Sequence, residues 1–189
     1  MIDNKIIFDL GFHNGDDTDF YLQKGFNVIA LEANPELINN GKDRFKKEIE
    51  TGQLKLLHNA VADKKGEIDF FIHLKNSDWS SCFKDIAQSD GSIAQAVTVE
   101  ATTISELFLI YGVPRYMKVD IEGFDIVVAR ELCNLKKKPS FVSFETSRKN
   151  FAEIYSYLFV AGYEQFQLIN QRNNPDRAPP FDSSEGKNI

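Results

Sequence analysis

The sequence predicts one α/β domain in which helices cover both faces of a doubly wound, mostly parallel sheet. Short apolar runs alternate along the chain with longer stretches of helical periodicity, the pattern of parallel strands joined by crossover helices. The first run, residues 5–10 (KIIFDL), is mostly apolar, which is typical of a strand buried on both faces. A glycine-containing turn and a helix-forming stretch follow it, as at the ligand-binding junction of such sheets.

The elements before residue 60 have clear boundary signals. The first helix is expected to end at Gly25, since glycine readily adopts the left-handed conformation that closes a helix. The second helix begins with Asn34 as N-cap, Pro35 in the first position and Glu36 in the first turn. We therefore predict strands at residues 5–10, 27–32 and 54–58, and helices at residues 17–24 and 35–49.

The later elements continue the same alternation. Ile104, Leu107 and Phe108 recur at helical spacing, and residues 116–120 (YMKVD) read as the fourth main strand. Residues 74–95 are polar and poorly periodic, so we expect a loop or lid there. The other strands are predicted at residues 66–73, 95–100, 140–145 and 163–170, and the helices at residues 103–111, 125–135 and 150–161.

The last twenty residues differ in composition from the rest of the chain. They contain Pro175, Pro179 and Pro180 and almost no aliphatic side chains. We therefore predict one domain over residues 1–170 and a polar, flexible tail over residues 171–189.

Charge and composition argue against several classes of function. The net charge of −6 disfavours a nucleic-acid partner, because neutralising phosphates needs a basic face. No apolar run approaches the roughly 18 residues of a membrane span, and residues 1–5 lack the features of a signal peptide. Cys82 and Cys133 are far apart and have no metal-type spacing. These features predict a cytoplasmic protein without a membrane or nucleic-acid partner.

The turn after the first strand favours S-adenosylmethionine over a dinucleotide. Dinucleotide-binding turns follow the pattern GxGxxG, whereas only Gly11 and Gly15 are present here. Asp16 and Asp17 occupy the start of the helix, where their carboxylates can cap its amides and would repel a pyrophosphate. A zwitterion with an ammonium and a sulfonium meets no such repulsion. Either aspartate taken alone is equally compatible with ordinary helix capping.

Acidic residues end or closely follow the predicted parallel strands, and such strands place their carboxyl ends around one crevice. Glu32 lies about 20 residues beyond the glycine turn, where an acid accepts hydrogen bonds from ribose hydroxyls. The whole set suits a cationic cofactor and a general base for a hydroxyl or amine substrate. An alternative is a metal site built from Asp120, Glu122 and Glu145, because hard cations take oxygen ligands. The five acids are Asp9, Glu32, Asp120, Glu122 and Glu145.

Four blocks of sequence resemble the FkbM-type methyltransferases, a branch of the class I S-adenosylmethionine-dependent superfamily. The blocks are residues 8–15 (FDLGFHNG), 30–35 (ALEANP), 59–61 (NAV) and 117–125 (MKVDIEGFD), and the KVDIEG part is the most specific. The resemblance implies a Rossmann-like sheet and methyl transfer, most often to a hydroxyl oxygen of a sugar, polyketide or other small molecule. The implied partners are thus S-adenosylmethionine and a small-molecule or carbohydrate acceptor, and we separately predict no resident metal.

The resemblance also implies roles for individual residues. Five would hold the methionine part of the cofactor: Asp9, Gly11, Asn14, Gly15 and Thr18. Five more would lie along the nucleoside, with Glu32 on the ribose, Ala33 and Asn34 beside it, and Asn59 with Ala60 near the adenine. Asp120 and Glu122 would face the methyl group and the acceptor, and one of them would take the hydroxyl proton, with His13 as the reserve candidate. Trp79 is either a cover for the cofactor or a loop anchor.

The sequence departs from the superfamily pattern after residue 170, where no apolar run provides the usual seventh, antiparallel strand. Either that strand is missing or the chain is a fragment, and an exposed sheet edge would favour a homodimer. Two other functions remain open: a nicotinamide-dependent oxidoreductase, and a non-catalytic domain that binds a nucleoside or a protein. Residues 178–181 (APPF) resemble a motif of amino-methyltransferases, but their place in the tail indicates coincidence.

Overall fold

The computed structural model describes residues 2–75, 79–89 and 91–169. Along these ranges the strands are β1 (Ile2–Leu10), β2 (Asn27–Glu32), β3 (Leu54–His58), β4 (Ala60–Val61), β5 (Gly66–His73), β6 (Ala94–Thr102), β7 (Val113–Val119) and β8 (Phe141–Phe144). The helices are α1 (Asp16–Gln23), α2 (Pro35–Arg44), α3 (Lys46–Glu50), α4 (Lys84–Ala87), α5 (Ile104–Tyr111), α6 (Asp125–Asn134) and α7 (Phe151–Val160).

Five strands form one parallel sheet in the order β3-β2-β1-β7-β8. The chain moves outward from β1 to β3 and later returns to the other side of β1, so the strand order reverses between β1 and β7. In the register, Leu10 pairs with both Leu31 and Val119. The residues that follow these three therefore leave the sheet side by side, at the switch point where such sheets bind ligands.

Helices cover both faces of the sheet, as predicted, because alternate side chains of each strand point to opposite faces. On one face, Phe8, Leu10 and Met117 pack with α5, α6 and α7 through Leu107, Leu132 and Ile154 among other residues. On the other face, Ile7, Val28 and Tyr116 pack with Tyr21 and Leu22 of α1 and with Phe45. The α/β, Rossmann-like fold class is confirmed.

A second, three-stranded sheet in the order β4-β6-β5 lies after β3 in the chain. β5 and β6 are antiparallel, and β4 joins β6 in parallel. Both long strands were predicted, although β6 extends beyond residues 95–100. The region 74–95 was expected to be a loop or lid, yet it contains the start of β6, the short helix α4 and a bridge between Ser81 and Phe71.

Three further predictions need correction. The predicted strand at 163–170 is wrong, because residues 163–169 belong to no strand: among the described residues, no strand lies beyond β8 to pair with them. The predicted helix 35–49 is two helices, α2 and α3, separated at Phe45, whose φ of −110° and ψ of 28° are not helical. β1 and β7 begin three residues earlier than predicted, at Ile2 and Val113.

The break at Phe45 has a packing reason. Its side chain is buried and meets the ring of Phe12 edge-on, with centroids 5.8 Å apart. The amide of Phe45 still donates to the carbonyl oxygen of Gly41 at 2.9 Å, and its carbonyl oxygen accepts from the amide of Ile49 at 3.0 Å, so both of its backbone groups stay paired.

The predicted tail, residues 171–189, lies outside the described residues. Among the described helices, none is long and apolar enough to cross a membrane.

Candidate functional site

A cavity of about 430 Å³ opens at the switch point, beyond the carboxyl ends of β1, β2 and β7. Its described lining includes six carboxylates and one ammonium, that of Lys118. The six acids are Asp16, Asp17, Glu32, Asp120, Glu122 and Glu145. The cavity is therefore strongly acidic and suits a cationic ligand better than a polyphosphate.

Glycine at position 11 allows the turn after β1 to approach β7 closely. A Cβ at Gly11 would lie 1.8 Å from the carbonyl oxygen of Asp120, and its φ of 91° is left-handed. Gly15 also has a left-handed φ of 82°, and a Cβ there would meet the rings of Phe12 and Phe45 at 2.5 and 2.6 Å. Gly11 thus faces the cavity mouth, whereas Gly15 packs against the core.

Lys118 holds the ends of β1 and β7 together beneath the cavity. Its Nζ donates to the carbonyl oxygen of Gly11 at 3.0 Å and to Oδ1 of Asp9 at 3.3 Å. It also lies 3.6 Å from both Asp17 and Asp120. Burial alone would lower the pKa of Lys118, but the carboxylates of Asp9, Asp120 and Asp17 raise it well above its usual range. The lysine is therefore positively charged, and its ammonium contacts all four of these residues.

Asp9 lies behind this lysine and not in the cavity. Its carboxylate is wholly buried and accepts from the hydroxyl of Thr18 at 2.6 Å. Burial raises the pKa of Asp9, and the ammonium of Lys118 and the hydroxyl of Thr18 oppose that rise. Asp9 and Thr18 thus support the turn from below, and neither lines the cavity.

The prediction that Asp16 and Asp17 cap α1 is wrong. Gly15 is the N-cap residue and offers no side-chain cap, and the side chain that accepts a first-turn amide is that of Asn14. The amide of Asp16 donates to Oδ1 of Asn14 at 3.0 Å, and its carboxylate pairs with Arg44 at 2.9 Å. Both aspartates nevertheless line the cavity, so the repulsion that they would exert on a pyrophosphate remains.

Glu32 organises the backbone on the β2 side of the cavity. Its Oε2 accepts from the amide of His13 at 2.8 Å, and its Oε1 accepts from the amides of Ala33 and Asn34 at 3.0 and 2.8 Å. Burial raises the pKa of Glu32, and these hydrogen bonds oppose the rise. A carboxylate has about four acceptor positions, and these three amides occupy three of them.

The turn after β7 is held in an unusual conformation. Glu122 has a left-handed φ of 45°, which is uncommon for a residue with a side chain, and Gly123 has a φ of 118°. The carboxylate of Asp125 accepts from the amides of Ile121 and Gly123 at 3.3 and 3.0 Å, on either side of Glu122. Burial raises the pKa of Asp125, against these two bonds.

Three carboxylates meet beside this turn. One oxygen each from Asp120, Glu122 and Glu145 lies within 4.8 Å of the other two. The pKa of Glu145 is raised to about 8, and burial is the largest cause. The charge of Asp120, a hydrogen bond to Asp120 and the charge of Glu122 add to the rise. The pair of Glu145 and Asp120 therefore holds a shared proton to a higher pH than isolated carboxyl groups would. Three oxygen donors so close together also match the ligand preference of a hard cation.

Eight predicted site residues line the cavity: Gly11, Asn14, Glu32, Ala33, Asn59, Ala60, Asp120 and Glu122. Four do not line it: Asp9, Gly15, Thr18 and Asn34. Asn34 is the N-cap of α2 and accepts from the amide of Glu36 at 3.0 Å. The reserve candidate, His13, does line the cavity.

Sequence reasoning missed Lys118 and Phe70, which also line the cavity. Strand alternation places Lys118 on the same side of β7 as Asp120, and that spacing was the available signal for it.

Trp79 lies outside the lining and meets the ring of His73 edge-on, with centroids 5.4 Å apart. Burial raises the pKa of Cys82, in the cavity wall, to about 12, so its thiol stays protonated.

Comparison with known proteins identifies the family. The model of the methyltransferase FkbM domain matches residues 9–164, which include all the cavity-lining residues named above. The chain belongs to the FkbM methyltransferase family. No curated protein and no solved structure matches it.

Proposed function

We propose that this FkbM-family methyltransferase uses S-adenosylmethionine to methylate a hydroxyl oxygen of a small molecule or sugar. The observation that carries the proposal is the carboxylate cluster of Asp120, Glu122 and Glu145 at the switch point. It provides a proton acceptor beside a cavity whose charge favours a cationic cofactor. The same carboxylates would repel a polyphosphate cofactor.

The cavity residues fit S-adenosylmethionine on two grounds. The acidic lining offsets the charge of a sulfonium and an ammonium, and Glu32 keeps one acceptor position for a ribose hydroxyl. Asn59 and Ala60, at the start of β4, would lie along the adenine. When bound, the cofactor would supply a methyl group already activated by its positive sulfur.

The residues of the chain then need to orient the acceptor and remove its proton. Asp120 and Glu122 both line the cavity and are the candidate bases, whereas burial and the neighbouring charges raise the pKa of Glu145. The close packing of the two turns, at Gly11 and at Glu122, holds the two halves of the site in a fixed relation. Orientation of two reactants alone supplies about 7–11 kcal/mol of barrier reduction.

Two measurements test this proposal. Calorimetry is expected to show binding of S-adenosylhomocysteine and none of NAD, and the Glu32→Gln variant should bind the former more weakly. Transfer of labelled methyl groups to a panel of sugars and hydroxylated small molecules should fall by about 10²–10⁴-fold in Glu122→Gln. The control is Glu106→Gln, a surface acid paired with Lys65, which should retain activity. NAD binding would refute the cofactor assignment, and full activity in both Glu122→Gln and Asp120→Asn would refute the assignment of the base.

We also propose the setting in which the enzyme acts. Two free thiols, Cys82 and Cys133, fit a reducing cytoplasm. The acidic cavity fits a small acceptor and not a nucleic acid or membrane. Phe141 is exposed on β8, which ends the described sheet, so a homodimer through that edge is the proposed assembly. Sedimentation at several concentrations would test it.

A further inference from the structure

A serine outside the four sequence blocks described above holds the turn that carries Glu122. Ser81 lies 41 residues earlier in the chain and is wholly buried. Its hydroxyl donates to the carbonyl oxygen of Glu122 at 2.5 Å and accepts from the amide of Phe83 at 3.0 Å. The side chain is therefore directed at the backbone of Glu122 by a hydrogen bond on each side.

The backbone of Ser81 is itself fixed by the second sheet. Its amide donates to the carbonyl oxygen of Phe71 at 3.0 Å, and its carbonyl oxygen accepts from the amide of Phe71 at 2.7 Å. This isolated bridge ties Ser81 to β5. Because two backbone hydrogen bonds join Ser81 to this strand, the position of its hydroxyl is well defined.

Glu122 needs such an anchor because its backbone conformation is costly. A left-handed φ is disfavoured in a residue with a Cβ, because that atom comes too close to the following carbonyl oxygen. The carboxylate of Asp125 holds the amides before and after Glu122, and the hydroxyl of Ser81 holds its carbonyl oxygen. Relaxation to a negative φ would redirect the Cα–Cβ bond and carry the Glu122 carboxylate away from Asp120 and Glu145.

Packing supports the same link between the two segments. A Cβ at Gly123 would lie 2.7 Å from the ring of Phe83 and 2.9 Å from Ile86, so this segment rests directly on the turn. Ser80 and Cys82, on either side of Ser81, line the cavity, whereas Ser81 does not. Ser81 therefore acts on the site through Glu122 and not by touching a ligand.

We propose that Ser81 is a positioning residue, which keeps Glu122 in its left-handed conformation and so keeps its carboxylate in the cluster with Asp120 and Glu145. The role in catalysis rests on the proposed function, whereas the effect on the geometry of the cluster does not. The hydrogen bond from Ser81 to Glu122 also links residues 79–89, of which Ser80 and Cys82 line the cavity, to the proposed base.

The titration of Glu145 tests the geometry without an acceptor. The charges of Asp120, Glu122 and Asp125 all raise the pKa of Glu145, so displacement of Glu122 should lower it from about 8. We would follow the side-chain carboxyl carbons by NMR, with Glu145→Gln to assign the signal. Ser81→Ala is expected to lower this pKa, and Ser81→Thr, which keeps the hydroxyl, is expected to restore it.

A matched control is Ser143→Ala. This variant removes a hydroxyl that lies 2.6 Å from the hydroxyl of Tyr116, outside the cavity. It should leave the pKa of Glu145 and the methyl-transfer rate unchanged. In Ser81→Ala, kcat should fall by about 10- to 100-fold, the effect of misplacing a reacting group by about 1 Å. The affinity for S-adenosylhomocysteine should change less than about twofold, because Glu32 and the glycine turn are untouched.

The outcomes separate the two proposals. An unchanged Glu145 pKa in folded Ser81→Ala would overturn the positioning role, and so would an equal loss of kcat and of S-adenosylhomocysteine affinity. Absence of methyl transfer in the wild type would count against the proposed function, while the titration still decides the role of Ser81. If Ser81→Ala does not fold, Ser81→Cys keeps the volume with a weaker donor, and a smaller fall in the Glu145 pKa is expected.

Discussion

Replacement of Lys118 by methionine is expected to destabilise the protein mainly through Asp9. Methionine keeps much of the length and apolar character of the lysine side chain but removes its ammonium. The wholly buried carboxylate of Asp9 would then keep only the hydroxyl of Thr18, at 2.6 Å, as a described hydrogen-bond donor. The carbonyl oxygen of Gly11 would lose its 3.0 Å partner as well.

The size of the effect follows from the burial of the pair. Removal of one partner of a buried ion pair costs about 3–5 kcal/mol, because the other charge is left without compensation. In a domain of this size, each kcal/mol lowers the melting temperature by about 2–4 °C. We therefore expect Lys118→Met to melt about 6–20 °C below the wild type.

Calorimetric or circular dichroism melting is the assay, with two variants for comparison. The double variant Asp9→Asn/Lys118→Met removes both charges and should recover most of the lost stability. Lys65→Met breaks a pair with Glu106 that is shorter, at 2.9 Å, but the Lys65 side chain is 63% exposed against 16% for Lys118. That surface variant should lose no more than about 1 kcal/mol.

The difference in burial between the two lysines should appear as a difference in melting temperature between their variants. Equal melting temperatures for Lys118→Met and Lys65→Met would refute it, as would a double variant that is no more stable than Lys118→Met alone. The second result would mean that the ammonium contributes through Gly11 or Asp120 and not through Asp9.

Two further predictions concern the turn and the pH dependence. Gly11→Ala should abolish S-adenosylhomocysteine binding or folding, since a Cβ there would lie 1.8 Å from the Asp120 carbonyl oxygen. The control is Gly25→Ala, where φ is 86° and a Cβ meets open space, so it should lower the free energy of unfolding by only about 1 kcal/mol. Equal melting and binding of the two variants would contradict this. The raised pKa of Glu145 means that the folded protein retains a proton that the unfolded chain releases, so this group should lower stability as pH rises from about 4.5 to 8. Melting curves across that range should decline less steeply for Glu145→Gln, and parallel profiles would show that Glu145 does not titrate as inferred.

The parallel strands could be predicted from sequence because each is a short apolar run with a clear boundary. Residues 27–32 and 54–58 were predicted with the bounds that the structure has. The failures have tertiary causes. Residues 163–169 have strand-like composition, but pairing depends on whether a neighbouring strand is present. Phe45 ends a helix because of a contact with Phe12, 33 residues earlier, which no local pattern contains.

The candidate site shows the same division between local and tertiary information. The sequence places Asp9, Glu32 and Asp120 at strand ends, which is enough to predict one acidic crevice. It does not show that Lys118, 109 residues after Asp9, covers that carboxylate and separates it from the cavity. Nor does it show that Asp16 pairs with Arg44 and leaves the cap position to Gly15.

The acids that look equivalent in the sequence therefore have three different physical roles. Asp9 is a buried partner that sets the position of Lys118 and, through it, of the Gly11 carbonyl oxygen. Glu32 accepts three amides and shapes the β2 side of the cavity. Asp120, with its two neighbours in the cluster, remains exposed to a ligand. A substitution at Asp9 should thus be detected first as lost stability, and one at Asp120 first as lost methyl transfer, although both end strands of the same sheet.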